Sequence, residues 1–548
     1  MKRCHLVLFA VVLIGCLIFT SCSTSTTTPA PATITTVQKT TTAVSPTTTK
    51  PTTTSVSSPT ATTAAQQTGG TLKIIATIGF SDIGYPPMTV GDQIYAEPVV
   101  ETLVTLDGQG KGEIVPQLAT TWQYSSDYKS LTFNLRKGVK FHDGTPFNAQ
   151  AAKYCLDMIK ASGQGLLPTV SSAEVVDDYT LKLNLSSITP TLLLDLTSAR
   201  NGMMVSPTAL QSMSKEEAMT HPVGTGPFKF ASYERSVSLK YQKFTDYWQP
   251  GKPYLDGIDF VYIADSVTAL ASFQAGESQA IRSPSAKDAD SMDASGKFKV
   301  YRTPSSVRGL AFDSANADSP YYNLKVRQAI SYAIDKEAIN KACGYGLPMT
   351  NQFAVSEKWF YNPNITGYPY NTQKAKDLFS QAGYAKGFDT SIFYENAGAI
   401  ATMVTAVQSY LRDSGVTAKL ALQDRATYIQ TRTGGWNNGL VWFDINFASS
   451  ELGPRLLSAL SSQGKDYKSI LVPADYDAKL FQALSEPDQT KRAALYQELE
   501  KMIIDTYCLA IPCYVNATFA ATNFKVQDFN FNNYGQSIWD PENAWLSK

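Results

Sequence analysis

Strand patterns and helix patterns alternate along this chain from residue 71 onward, and this alternation most restricts its possible folds. Residues 71–78 form a strand pattern that alternates at first and then becomes almost wholly apolar, and apolar residues recur two apart in Leu131–Leu135 and Leu181–Leu185. Apolar residues at helical spacing recur in the intervals between and after such strands. The clearest helix patterns are Gln328–Lys341, the segment that follows Asn371, and Lys491–Ile504. Strands interspersed with such helices predict α/β lobes.

The ends of two of these helices carry recognisable signals. Asn323 is a suitable N-cap upstream of Gln328–Lys341, and Gly344 ends that pattern. Asn371 is a suitable N-cap for the next helix, which Gly383 ends. We therefore expect one continuous helix before Gly344 and a second one before Gly383.

The chain begins with the features of an export leader. Lys2 and Arg3 precede an apolar run, Leu6–Phe19, that is shorter than the roughly 20 residues a membrane-spanning helix needs. We predict a lipoprotein signal peptide over residues 1–22, with Cys22 as the lipidated residue. Cys16 is the alternative: the residues before it match the lipobox pattern better, but cleavage there would leave apolar residues in water. An ordinary signal peptide or an uncleaved anchor is the remaining interpretation.

Residues 23–68 are rich in Thr, Ser, Pro and Ala and contain two charged residues, Lys39 and Lys50. The segment has too few large apolar side chains to offset the conformational entropy that the chain would lose on becoming ordered. We therefore predict a disordered linker. The whole chain has 47 basic and 47 acidic residues. This balance gives no support to nucleic-acid binding, which normally shows a basic surface.

The residues that most invite a catalytic interpretation are better explained by structure. His142 and Asp143 lie in a turn, and Asn148 can cap the helix that follows. Gly224–Phe228 has the glycines of a phosphate loop but lacks its Lys-Ser/Thr, and no metal-binding histidine spacing is present. We predict no catalytic residues, no metal and no cofactor. The cysteines beyond the leader are expected to be buried free thiols: Cys155, Cys343, Cys508 and Cys513.

Several short motifs, in a fixed order over residues 69–548, resemble the peptide/nickel (oligopeptide/dipeptide-binding) family of extracytoplasmic solute-binding proteins of ABC importers. Each motif is weak by itself, and their order makes the resemblance specific. The motifs are Gly69–Leu72, Glu101–Val104, Pro116–Trp122, Leu135–Gly144, Gly224–Phe228, Asp246–Trp248 with Lys252–Asp256, and Val326–Ile330 with Ala333–Asp335.

The resemblance implies a two-lobed, periplasmic-binding-protein-like α/β fold, with a hinge and an extra subdomain in the N-terminal lobe. It places lobe 1 at residues 69–310, with the subdomain at about 113–220, and lobe 2 at residues 311–512. Residues 513–548 then return to lobe 1. The chain is expected to cross between the lobes near Val307–Phe312 and again near Ile511–Cys513.

The resemblance also directs attention to residues 439–447. Peptide-binding relatives use an aspartate in a W-x-x-D-Y-x-D/E-P element to hold the amino terminus of the peptide, and Asp444 is the best match here. The Trp-to-Asp spacing is shorter and the acid-proline pair is missing, so the solute need not be a peptide. Trp436 and Trp442 could stack on a solute, and Arg308 and Arg425 could pair with a carboxylate.

The resemblance implies a lipid-anchored receptor on the extracytoplasmic face of the membrane, or in the periplasm. It would act as a monomer, capturing a solute and passing it to permease subunits. A peptide is the first expectation for the solute; an oligosaccharide or a metal chelate is the alternative. A sensory binding module and an exported hydrolase are the other functions considered.

Overall fold

The computed structural model describes residues 66–86, 93–107, 113–162, 167–187, 189, 191–396, 399–446, 451–530, 532–533 and 537–548. The predicted leader, both candidate lipidation sites and all but the last three residues of the predicted linker lie outside these ranges. No helix among the described residues is long and apolar enough to cross a membrane.

The strands, in chain order, divide between one large sheet and several small ones. They are β1 Thr71–Ala76, β2 Val104–Leu106, β3 Ile114–Pro116, β4 Ala119–Tyr124, β5 Ser130–Leu135, β6 Val170–Asp177, β7 Thr180–Leu185, β8 Phe228–Glu234, β9 Ser238–Lys243, β10 Gly257–Tyr262, β11 Ala280–Arg282, β12 Lys299–Phe312, β13 Phe388–Glu395, β14 Val416–Gln423, β15 Gly439–Asn446, β16 Ala510–Thr522, β17 Val526–Gln527, β18 Asn532–Asn533, β19 Ser537–Ile538 and β20 Trp545–Leu546.

Helices separate many of these strands, as the alternating pattern predicts. They are α1 Gln93–Ala96, α2 Ala149–Ala161, α3 Leu192–Asp195, α4 Ala199–Gly202, α5 Pro207–Ser212, α6 Lys215–Thr220, α7 Ser266–Gln274, α8 Ala286–Ser295, α9 Leu324–Ala333, α10 Lys336–Cys343, α11 Thr372–Gln381, α12 Ile400–Asp413, α13 Arg425–Gly434, α14 Gly453–Ala459, α15 Ala474–Ser485 and α16 Gln489–Lys501. A short 3-10 turn occupies Pro320–Tyr322, and a π turn, Met502–Thr506, follows α16.

The large sheet has ten strands in the order β14-β13-β15-β12-β16-β11-β1-β10-β9-β8. Its two halves contribute to two large hydrophobic cores, and a smaller third cluster includes Ile75 and Phe273. One core draws on residues from Leu72 to Ala280 and again from Ala520 to Ala544, and we call this part lobe 1. The other draws on residues from Val307 to Val515 and is called lobe 2.

Two long antiparallel strands, β12 and β16, connect the lobes in the middle of this sheet. Lys299 pairs with Thr522 at the lobe 1 end of the ladder, and Ala311 pairs with Ala510 at the lobe 2 end. The register shifts between Pro304 and Ser306, where the ladder passes from one lobe to the other. A bulge bends a strand and disrupts its pairing, so this is the natural point for a hinge.

Lobe 1 also carries a four-stranded antiparallel sheet, β4-β5-β7-β6, against which α2 packs. Asn148 caps α2 as predicted, since its side chain accepts a hydrogen bond from the N–H of Ala151 at 3.0 Å. His142 has a structural role: its Nε2 lies 2.9 Å from the carbonyl oxygen of Gly226. Burial lowers the pKa of His142 to about 4, which keeps the ring neutral.

Close backbone packing explains the glycines of the Gly224–Phe228 motif. A Cβ atom added at Gly224 would lie 2.1 Å from the carbonyl oxygen of Val99, and one at Gly226 would lie 2.7 Å from its carbonyl carbon. The motif therefore lets two backbone segments touch, a role that glycine alone can fill without a shift.

The prediction of one continuous helix over Gln328–Lys341 is wrong. The chain forms α9 and α10, separated at Ile334–Asp335, because the side chain of Asp335 caps α10 by accepting from the N–H of Ala338 at 2.9 Å. The caps predicted at Asn323 and Asn371 are both confirmed. All four cysteines predicted to be buried thiols are buried and unbonded to one another.

Candidate functional site

Three side chains form a row across adjacent strands on the lobe 2 side of the hinge. In the sheet register, Arg308 of β12 lies opposite Asp444 of β15 and opposite Tyr514 of β16. Residues paired directly across strands project from the same face of a sheet, so these side chains can meet. The row therefore combines a cation, an anion and a phenol beside the two strands that connect the lobes.

Arg308 and Asp444 form an ion pair that leaves one carboxylate oxygen unused. Nε of Arg308 lies 3.3 Å from Oδ2 of Asp444, and Nη1 donates to the hydroxyl oxygen of Tyr514 at 3.3 Å. Oδ1 of Asp444 is buried and has no hydrogen-bond partner in the described part of the chain. The two charged side chains retain 19% and 18% of their exposure, so the pair is shielded from bulk water but still accessible.

Electrostatics keeps Arg308 charged and Tyr514 neutral. Burial works against the guanidinium, but Tyr514 and Asp444 outweigh it and raise the pKa of Arg308 above its ordinary value. Burial raises the pKa of Tyr514 to about 12, although nearby Arg308 opposes that shift. Tyr514 therefore offers a neutral hydroxyl at neutral pH.

Trp442 lies two residues before Asp444 and so projects from the same face of β15. The guanidinium of Arg308 lies 5.6 Å from the centroid of its indole ring, within the range of a cation–π contact. Its Nε1 is buried and has no hydrogen-bond partner among the residues described. A free donor at Trp442 thus accompanies the free acceptor at Asp444.

Hydrogen bonds from two side chains hold the backbone of β15 around Trp442 and Asp444. Nη2 of Arg455 donates to the backbone carbonyl oxygen of Asp444 at 2.9 Å, and its Nη1 lies 3.2 Å from Asp466. The hydroxyl of Tyr428 donates to the carbonyl oxygen of Trp442. These bonds fix the backbone on which Trp442 and Asp444 stand.

Two other residues predicted to contact the solute lie elsewhere. Trp436 precedes β15, at the end opposite Asp444; it is 4% exposed, and its Nε1 donates to the carbonyl oxygen of Gly439 at 3.1 Å. Arg425 begins α13 and pairs with Glu395 at the end of β13. Because β13 and β15 are parallel, Arg425 lies at the same sheet edge as Asp444, although outside the row.

The structure thus brings together Arg308, Trp442 and Asp444. Sequence reasoning missed Tyr514 and Arg455, because neither belongs to a recognisable motif. Tyr514 could have been found only from the expectation that the second crossing strand passes beside the first. In the described part of the chain, no group of three or more His, Cys, Asp or Glu side chains converges closely enough to hold a metal ion.

A cavity of about 370 Å³ also lies beside the crossing strands and is lined by both lobes. Lobe 1 contributes residues 284–287, lobe 2 contributes residues 343–345 and Ala399, and β16 contributes Asn516, Ala517 and Phe519. Space for a small molecule therefore exists between the two lobes.

Comparisons with known proteins agree on one family. The sequence profile described as bacterial extracellular solute-binding proteins, family 5 Middle, matches residues 113–465. The glutathione-binding protein GsiB of Pectobacterium atrosepticum is 30% identical over 413 residues, covering 71% of this chain and 78% of the relative.

Solved structures show the same fold. The periplasmic binding protein DppA from Helicobacter pylori, in complex with the peptide STSA, superposes with a TM-score of 0.68 and 25% identity, covering 88% of this chain and 99% of DppA. HbpA2 from Haemophilus parasuis superposes with a TM-score of 0.78 and 24% identity, covering 87% and 100%. The predicted two-lobed α/β fold is confirmed, and the chain belongs to the extracellular solute-binding proteins of family 5, which serve ABC importers.

Proposed function

We propose that this protein captures a peptide between its two lobes, without converting it, and delivers it to the permease of an ABC importer. Relatives support a peptide solute: GsiB is a glutathione-binding protein, and the DppA structure holds the peptide STSA. A dipeptide-binding protein from a Pseudoalteromonas strain, solved with Met-Leu, shares the fold with a TM-score of 0.68.

The observation that carries the proposal is the unused oxygen of Asp444. An ammonium group placed against Oδ1 would form a charge-assisted hydrogen bond, which is roughly twice as strong as a neutral one. The ion pair with Arg308 uses Oδ2 of Asp444 and leaves Oδ1 unoccupied. The amino terminus of a peptide is the group that meets this requirement.

The free donor of Trp442 could add a second hydrogen bond to the peptide. The first carbonyl oxygen of a peptide lies three bonds from the nitrogen of its amino terminus, so these two groups can face neighbouring side chains on one strand. Trp442 Nε1 would donate to that carbonyl while Asp444 accepts from the ammonium. Buried polar groups of this kind are costly when unpaired, which favours a ligand that satisfies both.

Closure would follow from the position of the site. The Arg308 row stands beside the irregular stretch of β12 and β16, so a bend there changes the distance from the row to lobe 1. Hinge motion of this type closes binding proteins around their ligands. We propose the predicted bounds, with lobe 1 at residues 69–310, the subdomain at about 113–220, lobe 2 at residues 311–512 and the return at residues 513–548. Residues 307–310 and 513–515, at the ends of these segments, pack in the lobe 2 core, so the crossing strands contribute to both lobes.

The family places the protein outside the cytoplasm, and we propose that a lipid on Cys22 anchors it to the membrane as a monomer. Metabolic labelling with a fatty acid should mark the wild-type protein, and Cys22→Ser should abolish the label. Retention of the label by Cys22→Ser and its loss from Cys16→Ser would move the anchor to Cys16.

The peptide proposal is tested by matched ligands on the purified protein. A short peptide with a free amino terminus should bind, and its N-acetylated form should bind at least about tenfold more weakly, because acetylation removes the charge that Asp444 recognises. Mass spectrometry of the recovered peptide should show no chemical change. Equal affinity for both forms, tight binding of oligosaccharides or metal chelates only, or hydrolysis of the peptide would each contradict the proposal.

A further inference from the structure

The cavity of about 370 Å³ between the lobes is distinct from the row formed by Arg308, Asp444 and Tyr514, since none of the three lines it. It lies close to that row, because Asn516 on its wall follows Tyr514 by two residues, about 7 Å along an extended strand. Its volume is within the range of small-molecule sites. Because both lobes line the cavity, a molecule inside it would contact both of them.

Much of the cavity wall is apolar. Lobe 1 supplies Pro284 and Ala286, β16 supplies Ala517 and Phe519, and lobe 2 supplies Ala399. A hydrophobic group placed against these residues would be removed from water, which favours binding in proportion to the apolar area buried. The wall therefore suits a guest with an apolar part.

The same wall carries one positive charge. Of the described residues that line the cavity, Lys287 alone is charged at neutral pH. Its side chain is exposed, so the charge lies where the cavity meets solvent. A negatively charged group in the cavity would meet this cation and no carboxylate of the wall, so the wall also suits an anionic part of a guest.

The acidic residues of α8 do not neutralise Lys287. Asp290 and Asp293 each pair with Arg302 at 3.0 Å, and Asp288 accepts a hydrogen bond from the N-cap serine of that helix at 2.6 Å. No salt bridge joins Lys287 to a carboxylate in the part of the chain that the structure describes. The ammonium group of Lys287 is therefore available to a guest.

A carboxylate beside an apolar side chain matches both properties of the wall. The last residue of a peptide has this combination, because its carboxylate and its side chain are attached to the same Cα atom. We propose that the carboxyl-terminal residue of the solute, with an apolar side chain, occupies this cavity and that its carboxylate pairs with Lys287. This inference rests on the proposed function and deepens it, because the same peptide would place its amino terminus at Asp444.

One short peptide can reach both places. Asp444 and Tyr514 are separated by two strand spacings, about 10 Å, and Asn516 lies about 7 Å further along β16. The two directions are perpendicular, so Asp444 is about 12 Å from the cavity wall, a distance that three or four extended residues span. A tetrapeptide is therefore a suitable probe.

The first test uses a fragment that has no free amino terminus. N-acetyl-leucine has the carboxylate and the apolar side chain, and N-acetyl-leucine amide is the matched compound without the charge. In calorimetric titration of the purified protein, the acid should bind at millimolar concentration, and the amide should bind about three- to tenfold more weakly, as expected for loss of one partly exposed ionic contact.

Matched variants assign the charge. Lys287→Met should remove the preference for the acid over the amide, because methionine keeps an unbranched side chain without the ammonium group. Lys297→Met is the control, since Lys297 is an exposed lysine just beyond α8 that does not line the cavity. It should keep the full preference. Asp444→Asn should leave binding of N-acetyl-leucine unchanged, because this fragment has no ammonium group.

The second test locates the guest through Cys343. This buried thiol lines the cavity, whereas Cys155, Cys508 and Cys513 do not. Methyl methanethiosulfonate should modify Cys343 slowly in the protein alone, and saturating Ala-Ala-Ala-Leu or N-acetyl-leucine should slow this reaction several-fold, because the guest covers the thiol. Mass spectrometry of the digested protein identifies the modified cysteine, and the other three thiols serve as internal controls.

The third test compares peptides that differ only in the last residue. Ala-Ala-Ala-Leu should bind several-fold more tightly than its amide and than Ala-Ala-Ala-Asp, whose second carboxylate would meet the apolar wall. Amidation should have no further effect in Lys287→Met, because the two changes remove the same contact.

Three results would overturn the inference: no binding of N-acetyl-leucine or equal binding of its amide, a preference for the acid that Lys287→Met retains, and unchanged modification of Cys343 when the tetrapeptide is bound. Failure of the peptide proposal has a different signature. In that case Asp444→Asn and N-acetylation would leave the affinity for the tetrapeptide unchanged, while the preference of the cavity for the carboxylate would persist.

Discussion

Two arginine–carboxylate pairs in lobe 2 differ in how completely their oxygen atoms are bonded. Glu451 accepts from Nη2 of Arg492 at 2.7 Å through Oε1 and from the Tyr496 hydroxyl at 2.9 Å through Oε2, and both charged side chains are at most 7% exposed. Asp444 meets Arg308 through one oxygen only, and both remain partly exposed. A carboxylate whose oxygens are all bonded stabilises the fold, whereas a carboxylate that keeps one unpaired oxygen can accept a hydrogen bond from a ligand.

The largest expected effect is a loss of folding stability when the fully bonded pair, Arg492 with Glu451, is broken. Arg492→Ala would leave Glu451 buried without its cation, and breaking such a pair costs about 3–5 kcal/mol. The free energy of unfolding from urea titration measures this loss. Arg412→Ala is the matched control, because Arg412 and its partner Asp413 are exposed and such pairs contribute about 0–1 kcal/mol. Equal losses in both variants would contradict the structural role of Glu451.

A buried carboxyl group without a neighbouring cation should make the free energy of unfolding depend on pH. Burial raises the pKa of Glu500 from 4.5 to about 8, with one backbone bond, from Phe353, opposing the shift. The folded state then holds one more proton than the unfolded state between these values. This contribution to stability is complete below the unfolded pKa and is lost as pH rises through the folded one.

Over the range from about pH 6 to pH 8, Glu500 should therefore lower the free energy of unfolding by up to about 1.4 kcal/mol per pH unit. Urea titrations of wild type and Glu500→Gln across this range isolate the effect, because glutamine does not titrate. Parallel pH dependences in the two proteins would show that Glu500 has an ordinary pKa.

Asp444→Asn tests whether the partly bonded carboxylate binds the ligand. Loss of the charge should weaken binding of a peptide with a free amino terminus by roughly ten- to hundredfold, because a hydrogen bond to a charged group contributes about 1.5–3 kcal/mol. Calorimetry measures the dissociation constant. Asp413→Asn, an exposed aspartate in the same lobe, should leave it unchanged. An unchanged dissociation constant for Asp444→Asn would remove Asp444 from the site.

The smallest effect concerns the indole of Trp442. Trp442→Phe keeps an aromatic ring beside Arg308 but removes the donor, so peptide binding should weaken about two- to tenfold, as expected for one neutral hydrogen bond. Trp436→Phe is the comparison, because that indole already donates to Gly439. It should reduce stability and leave the dissociation constant unchanged; the reverse pattern would exchange the roles of the two tryptophans.

Local sequence patterns predicted local structure well. Asn148, Asn323 and Asn371 each cap the helix expected of them, because capping depends on one side chain and a backbone N–H two or three residues away. The prediction of one continuous helix before Gly344 was wrong for a related reason. Its apolar spacing continues across residues 334–335, while the side chain of Asp335 starts a new helix there.

The candidate site was harder to predict, because its members come from distant parts of the chain. Arg308, Asp444 and Tyr514 meet only because β12 has β15 on one side and β16 on the other. Within a single segment of sequence, Trp436 and Trp442 looked equally suited to contact a solute. Trp436 lies before β15 and Trp442 lies within it. Which of them reaches the Arg308 row depends on what packs around each residue, and no local pattern records that.

The amino-acid sequence by itself determined the α/β class, the order of motifs that marks the family and the caps of several helices, since these depend on short-range periodicity and backbone chemistry. The tertiary structure alone decided which charges are satisfied. Glu451 and Asp444 are each a carboxylate near an arginine. Only folding sets how many donors reach each oxygen, because those donors come from strands and helices far away in the chain.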